Sequence, residues 1–434
     1  MTSALLSAVA VALSLVPQQT SADLPARLEG LARATLADAQ LEGLAVRVTT
    51  QNGTLFERGF GYADAGRAMV EGPGHARDAE ALLEPLLAIA LLQLEHEQKL
   101  NLQQPLVERF PKLTFDGRKV LLGQLLDQTS GIPSYRDAFE QRGTPATAQE
   151  VLTWLEARAL DADPGTCAAY SESNALLVAQ VIEQVAQAPV AQVLRLSVME
   201  ALGLEDTSFA ERVAQPVDPK LHAFGIRDLL DLPPLRSSLV DVDRFVRQLG
   251  KGTGIGEEGL KRLLEPLEAR GDDKAWPAGF AIERIGRNAA LVIQGSNERG
   301  SLRVAWYPEL ELVVALGTSA ETGALAALER RMTRAILDLP ATELVDLVLD
   351  AETRAAYLGA YAIGCNRVTI EERGERLEYV TPTGERHLLR AQGHQRFVSA
   401  TDAEFELTFT LRDSKAESFL LTRRGYQTVG RRLE

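Results

Sequence analysis

The chain has 434 residues, 45% of them hydrophobic, which is enough for a large core and for two domains. Its net charge of -14 excludes the broad basic surface that binding to nucleic-acid phosphates requires.

Leu5 to Val16 is an apolar run closed by Pro17, and Thr20-Ser21-Ala22 offers a small-residue cleavage site before Asp23. The run is short for a bilayer span and reads as a signal peptide over residues 1–22. That implies a secreted or periplasmic protein with no membrane span in the mature chain. No Lys or Arg precedes the run, so a buried or disordered N-terminal helix stays open as the alternative. A helix is expected from Leu24 to Leu36, then strands around Leu44 to Thr50 and Leu55 to Gly61, joined at Asn52-Gly53, a two-residue hairpin signal. A helix-rich region follows from Ala81 to Leu249, with apolar-periodic helices over Pro85 to Gln98 and Ser173 to Ala186. Antiparallel strands are expected from Phe280 to Thr318 and a closing helix from Ala324 to Leu337.

A boundary near Leu339-Pro340 gives a body over 23–340, a linker over 341–357 and a small domain over 358–434. In the small domain, short alternating segments run over Arg367 to Glu372, Arg376 to Thr381, Phe397 to Ala400, Phe405 to Leu411 and Ser418 to Thr422. With turns at Gly374, Gly384 and Gly425 they suggest an antiparallel barrel or sandwich. The only two cysteines are Cys167 and Cys365; in an oxidising compartment they could pair, or remain two thiols.

Several separated stretches share one register with a known family. Leu44-Ala45-Val46 and Glu57-Arg58-Gly59-Phe60-Gly61 open it, Leu91-Leu92-Gln93-Leu94 leads through Lys99 to Leu102, and Leu125-Leu126-Asp127-Gln128-Thr129-Ser130-Gly131 follows. Tyr170-Ser171-Glu172, Val181-Ile182-Glu183, Asp206-Thr207-Ser208-Phe209, Ser237-Ser238 and Gly317-Thr318-Ser319 continue it. Over residues 30 to 335 the chain resembles the β-lactamase-like serine hydrolases, which include class C β-lactamases, penicillin-binding DD-peptidases and esterases. The resemblance implies an α/β (α+β) fold, an antiparallel sheet with a helical region. The small all-β domain resembles the lipocalin-like domain appended to some secreted members, with a structural or gating role.

The family's chemistry needs a serine and, three residues later, a lysine base. Counting back from Leu91 places Ala81 at the serine position and Glu84 at the lysine position, and no Ser or Lys occurs from Ala63 to Gln98. At the second motif, Tyr-x-Asn, Tyr170 is kept and Glu172 replaces the asparagine. The third motif, a Lys or His and then Gly two residues on, falls on Gln294-Gly295-Ser296 or, shifted by one, on Ile293-Gln294-Gly295; no Lys or His lies between Arg287 and Gly300. Glu84 before Pro85 also suits a first helical turn. Loss of function with drift, or reuse of Glu84, Glu172, Tyr170 and Gln294 as a new site, both remain open.

No complete substitute emerges elsewhere. Ser130 fits a structural turn, Ser171 and Ser173 fit helix capping, and His75, His96, His222, His387 and His394 lack metal-ligand spacing. No cofactor or metal is expected. The expected function is an exported, non-catalytic binding or scaffolding homologue, a pseudoenzyme, whose former cleft takes a small-molecule or peptide ligand, cationic if Glu84 and Glu172 set its charge. The alternatives are a hydrolase with a reorganised acidic site around Tyr170, Glu84 and Glu172, or a conventional serine esterase or peptidase if the motif is misplaced.

Overall fold

The structure, a computed structural model, describes residues 23–433 other than 64–68, 141–145, 167, 211–225, 266–278, 286–287, 340–346, 365, 383, 385, 394, 401–404 and 424–425. The expected leader, both cysteines, His222, His394 and the turn at Gly425 lie outside the described residues.

Strands from both ends of the body form one antiparallel sheet. The expected hairpin is made by β1 (Gly43–Thr50) and β2 (Gly53–Gly61). Two short strands, β3 (Arg77–Asp78) and β4 (Ser208–Phe209), flank β5 (Leu235–Ser237) in a separate three-stranded sheet. The remaining body strands are β6 (Ala281–Ile285), β7 (Asn288–Asn297), β8 (Gly300–Tyr307) and β9 (Leu312–Thr318). The main sheet runs β2-β1-β9-β8-β7-β6.

Each face of that sheet is covered by helices. α1 (Leu24–Asp38) and α11 (Ala324–Ile336) pack on one face through Leu28, Leu325, Leu328 and Met332. The other face carries α2 (Leu83–His96), α3 (Leu122–Leu126), α4 (Arg136–Glu140), α5 (Ala148–Glu156) and α6 (Glu172–Ala186). It continues with α7 (Val190–Val193), α8 (Ile226–Leu229), α9 (Leu239–Gly250) and α10 (Gly256–Leu264). α2 is apolar on every side, from Leu83 and Leu86 to Leu92, and is therefore a core helix rather than a surface one. Each of its buried leucines contributes roughly 1.5–3 kcal/mol. Pro85 falls in the first turn, where its missing N–H costs no helical bond.

One row of the sheet is nearly bare. Gly59 pairs with Ala45, Ala45 with Gly317, Gly317 with Leu302 and Leu302 with Gly295, so these five residues present one face side by side. The segment from Glu71 to Ala81 lies over that row. A Cβ on Gly59 would come within 1.8 Å of the Glu71 carbonyl oxygen, one on Gly317 within 2.5 Å of Arg77 Cδ, and one on Gly295 within 2.7 Å of Ala81 Cβ. The small residues let the backbone leading into α2 rest directly on the sheet.

The opposite face holds a buried charge network. Arg303, fully buried, donates to Glu283 Oε2 at 2.6 Å and to Glu329 Oε2 at 2.8 Å. Arg330 reaches Glu283 at 3.0 Å, while Tyr307 and Thr333 donate to Glu329 Oε1. Two guanidiniums and two carboxylates thus compensate each other and tie α11 to β6 and β8. Removing one partner would strand a buried charge at a cost of about 3–5 kcal/mol.

The C-terminal strands close into a barrel of eight. In order they are β10 (Gly359–Ile363), β11 (Asn366–Arg373), β12 (Arg376–Val380), β13 (Arg386–Gly393), β14 (Arg396–Ser399), β15 (Phe405–Arg412), β16 (Lys415–Arg423) and β17 (Tyr426–Arg432). Closure is made by Tyr361 and Ala362 pairing with Arg432 and Arg431. The interior is filled by Tyr361, Tyr379, Phe405, Phe409 and Phe419, whose rings contact one another edge-on or tilted. Within residues 347–357, Leu347 bridges to Ala391, α12 (Ala351–Ala355) follows, and Tyr357 packs inside the barrel core.

Gly59→Ala should lower stability by about 2–3 kcal/mol, because rigid backbone blocks the added methyl. Urea unfolding checks this against Gly30→Ala, which meets nothing within 4 Å. Equal midpoints would contradict the close approach.

Candidate functional site

Two elements bring the expected residues together. Ala81 lies in a short turn of 3-10 helix (Glu80–Leu82) that runs into α2, and Glu84 is the second residue of α2. Tyr170 enters from the loop before α6 and Glu172 is the first residue of α6; this junction is stitched to residues 128–135. Ala169 N donates to Gln128 O at 2.8 Å, and Gln128 Oε1 accepts from Ser171 N at 3.0 Å and Asn174 Nδ2 at 2.5 Å. Ser130 Oγ donates to Asn174 Oδ1 at 2.7 Å, and Ser173 Oγ donates to Pro133 O while accepting from Tyr135 N. Ser130 and Ser173 therefore hold the loop in place. The capping expected of Ser171 is not observed; its hydroxyl is buried and has no hydrogen-bond partner among the described residues.

Across this junction Tyr170 Oη donates to Glu84 Oε1. Burial pushes the Glu84 carboxyl up to about 7, and the negative charge of Glu172 adds to the rise, while the Tyr170 hydrogen bond and Arg136 oppose it. Tyr170 is 44% exposed overall, yet its hydroxyl end is withdrawn from water against Glu84. That burial, with the charges of Glu84 and Glu172, raises its pKa well above the ordinary phenol value. Tyr170 is thereby held as a neutral donor, unsuited to act as a phenolate base.

Glu172 is differently placed. Its Oε2 accepts from Ser134 Oγ at 2.5 Å and its Oε1 is ion-paired with Arg136 Nε. Arg136 thus neutralises one of the two carboxylates, Glu84 and Glu172, on which the expected acidic charge of the site rests. Neither Ser134 nor Arg136 was singled out in the sequence; both follow the Thr129-Ser130-Gly131 turn, with no periodic pattern to mark them.

Gln294 and Ser296 do not join the group. Gln294 Oε1 accepts from Arg303 Nη1 on the α11 face, and Ser296 Oγ lies 2.7 Å from Ser301 Oγ. The residues of β7 that face α2 are Ile293, within the core around that helix, and Gly295, against Ala81. The cause is strand geometry: successive side chains alternate faces, so a one-residue change of register exchanges the whole set. On the other flank of Ala81, Arg299 binds Asp78 Oδ2 at 2.7 Å and Glu80 Oε2 at 2.6 Å, and Arg227 lies 3.3 Å from Glu80. These pairs fasten the β7–β8 turn and α8 to the residues before Ala81.

Among the described residues no group of three or more His, Cys, Asp or Glu could hold a metal ion, and no helix is long and apolar enough to cross a membrane. A groove of about 540 Å³ lined by Glu95, Lys99, Asn101 and Arg109 lies at the opposite end of α2 from Glu84.

The family model described as Beta-lactamase matches residues 28–338. A putative penicillin-binding protein, PbpX, of Bacillus subtilis (strain 168) is 28% identical over 237 residues, covering 52% of this chain and 58% of the relative. Protein flp of Staphylococcus aureus (strain N315) is 24% identical over 183 residues, 41% of this chain and 36% of the relative. The chain thus spans less than two thirds of the length of these curated relatives. Among solved structures, the octameric penicillin-binding protein homologue from Pyrococcus abyssi superposes with a TM-score of 0.63 at 17% identity, over 93% of this chain and 99% of the other. SurE with D-Leu gives 0.60 at 18% identity, over 95% and 100%. D-amino acid amidase from Ochrobactrum anthropi SV3, complexed with L-phenylalanine amide, gives 0.59 at 18%, over 73% and 99%. These similarities show a shared fold.

The folded Glu84 carboxyl keeps its proton up to about 7, whereas an unfolded one releases it near 4.5. The folded state therefore binds more protons between those values, and this contribution to stability falls as pH rises through the window. Glu84→Gln should flatten that part of a urea-midpoint profile. An unchanged slope would contradict the burial of this carboxyl.

Proposed function

Because this chain belongs to the beta-lactamase family, we propose that it is an exported member whose cleft binds a ligand without forming an acyl-enzyme. The observation that carries this reading is Ala81, set in the turn before α2 with Glu84 three residues later. In the family a serine and a lysine occupy such a pair of positions, and the hydroxyl attacks because a base lies beside it. A methyl group has no lone pair with which to attack a carbonyl. The pairing of Glu84 with Tyr170 supports the reading further, since a carboxylate accepts where an ammonium would donate.

Two features are compatible with ligand binding at this site. Tyr170 remains part exposed, and Ala81, resting against Gly295, brings only a methyl to the position of the family's serine. Two proteins of similar fold were solved with small ligands, D-Leu and L-phenylalanine amide, so the fold can hold ligands of that size. The apolar run before Pro17 and the small residues before Asp23 support export with removal of residues 1–22. A second reading, a hydrolase that uses Glu84 as an acid or base on water, is favoured by a carboxyl that exchanges its proton close to neutrality.

Intact-mass analysis of protein recovered from an exporting host, before and after incubation with a fluorescent penicillin and a serine-directed phosphonate, tests the proposal. The expected result is one unmodified species beginning at Asp23. A covalent adduct would overturn the non-acylating reading, and a mass that retains residues 1–22 would overturn export.

A further inference from the structure

The groove at the far end of α2 is lined by two charges that the chain leaves unmatched. Its volume, about 540 Å³, falls in the range of about 300–1,000 Å³ typical of small-molecule sites. Glu95 and Arg109 both line it and both are half-buried. Glu95 Oε1 accepts from Leu102 N at 3.0 Å, which fixes the carboxylate and leaves Oε2 without a partner among the described residues. Arg109 has no side-chain hydrogen bond or ion pair among the described residues, so the two charges share the groove but lie too far apart to pair. Lys99, the other cation of the groove, is already matched by Glu97 Oε2 at 2.6 Å.

We infer that this groove binds a small zwitterion, a molecule with a free carboxylate and a free primary ammonium group, the carboxylate seated on Arg109 and the ammonium on Glu95 Oε2. The inference is independent of how the cleft at Ala81 and Glu84 is read. A guanidinium presents its donors in a planar fork that matches a carboxylate. An ammonium has three donors and no acceptor, so it can meet the open carboxylate oxygen. Each half-buried charge has given up part of its water without gaining a counter-charge, and one ligand of this class compensates both. A ligand with only one of the two groups leaves either Glu95 or Arg109 unmatched.

The walls of the groove are held in place before any ligand arrives. Gln98, in the left-handed region at φ 59°, ends α2, and Lys99 N donates back to Leu94 O at 2.9 Å. The next residues are tied to the body, with Gly123 N donating to Leu102 O at 2.8 Å, and Arg109 N donates to Leu106 O at 3.0 Å. Such a seat loses little ordering entropy on binding. A free amino acid and a short peptide with free ends share the required chemistry and differ in the span between their charges.

Calorimetric titration of the full chain with glycine and with triglycine, at pH 7 and low ionic strength, tests the inference. The N-acetylated and C-amidated forms of each supply controls that lack one charge. At least one zwitterion should bind once, and about tenfold or more tightly than either of its controls. Glycine binding assigns the seat to a free amino acid, and triglycine binding alone assigns it to a short peptide. Glu95→Gln keeps an acceptor for Leu102 N and should lose the preference over the acetylated control. Arg109→Gln should lose the preference over the amidated control, each variant being confirmed as folded by its circular dichroism melt. No binding of either zwitterion, controls that bind as tightly, or a folded variant that binds as the parent does would overturn the inference.

Discussion

The structure depends on a strip of missing side chains. Gly59, Ala45, Gly317 and Gly295 lie in one row across five strands, interrupted only by Leu302, and the segment from Glu71 to Ala81 rests on it. Backbone contact at Gly59, with side-chain contacts from Arg77 at Gly317 and Ala81 at Gly295, leaves little freedom for the turn that follows. α2 then begins at a fixed height above the sheet, and its core leucines anchor it from Leu86 onward. The positions of Ala81 and Glu84 are consequences of that support, as is the approach of Ala81 to Gly295. A second fastening comes from Arg299 and Arg227, which bind the residues just upstream.

On this frame the side chain at position 84 sets local chemistry without setting the fold. A carboxylate at position 84 sits in the first turn of a helix, where the dipole favours negative charge. Burial acts against it and has the larger effect, so the carboxyl is lifted to about 7. The phenol of Tyr170 is turned into a donor toward that carboxylate. Glu172, by contrast, found a cation in Arg136, and the site carries one compensated carboxylate and one without a counter-ion among the described residues. That asymmetry, rather than a general acidity, sets its electrostatic character.

Much of the architecture was legible in the sequence because its signals are local. Asn52-Gly53 announced the first hairpin, and the apolar spacing after Pro85 announced α2. Ala81, Glu84, Tyr170 and Glu172 could be placed by counting from neighbouring stretches. The register of β7 could not, because Ala289 to Ile293 are buried under helices on both faces and so do not alternate between apolar and polar. Gln294 consequently read as a cleft residue when it belongs with Arg303. Arg136 was missed for another reason: its partner lies 36 positions away, and nothing in a loop sequence specifies such a contact. In the barrel, five segments were recognised by alternation, while β10, β13 and β17 interleave arginine, glycine or glutamine with their apolar residues and carry weaker patterns.

The central claim is that the part-buried Glu84 carboxyl, bound to Tyr170, titrates far above an ordinary glutamate. Carbon-13 NMR of the Glu84 carboxyl, assigned by comparison with Glu84→Gln, measures it directly. The account requires titration near 7 in the parent protein and a still higher value in Tyr170→Phe, where the stabilising donor is gone. Titration near 4.5 in both proteins would contradict it.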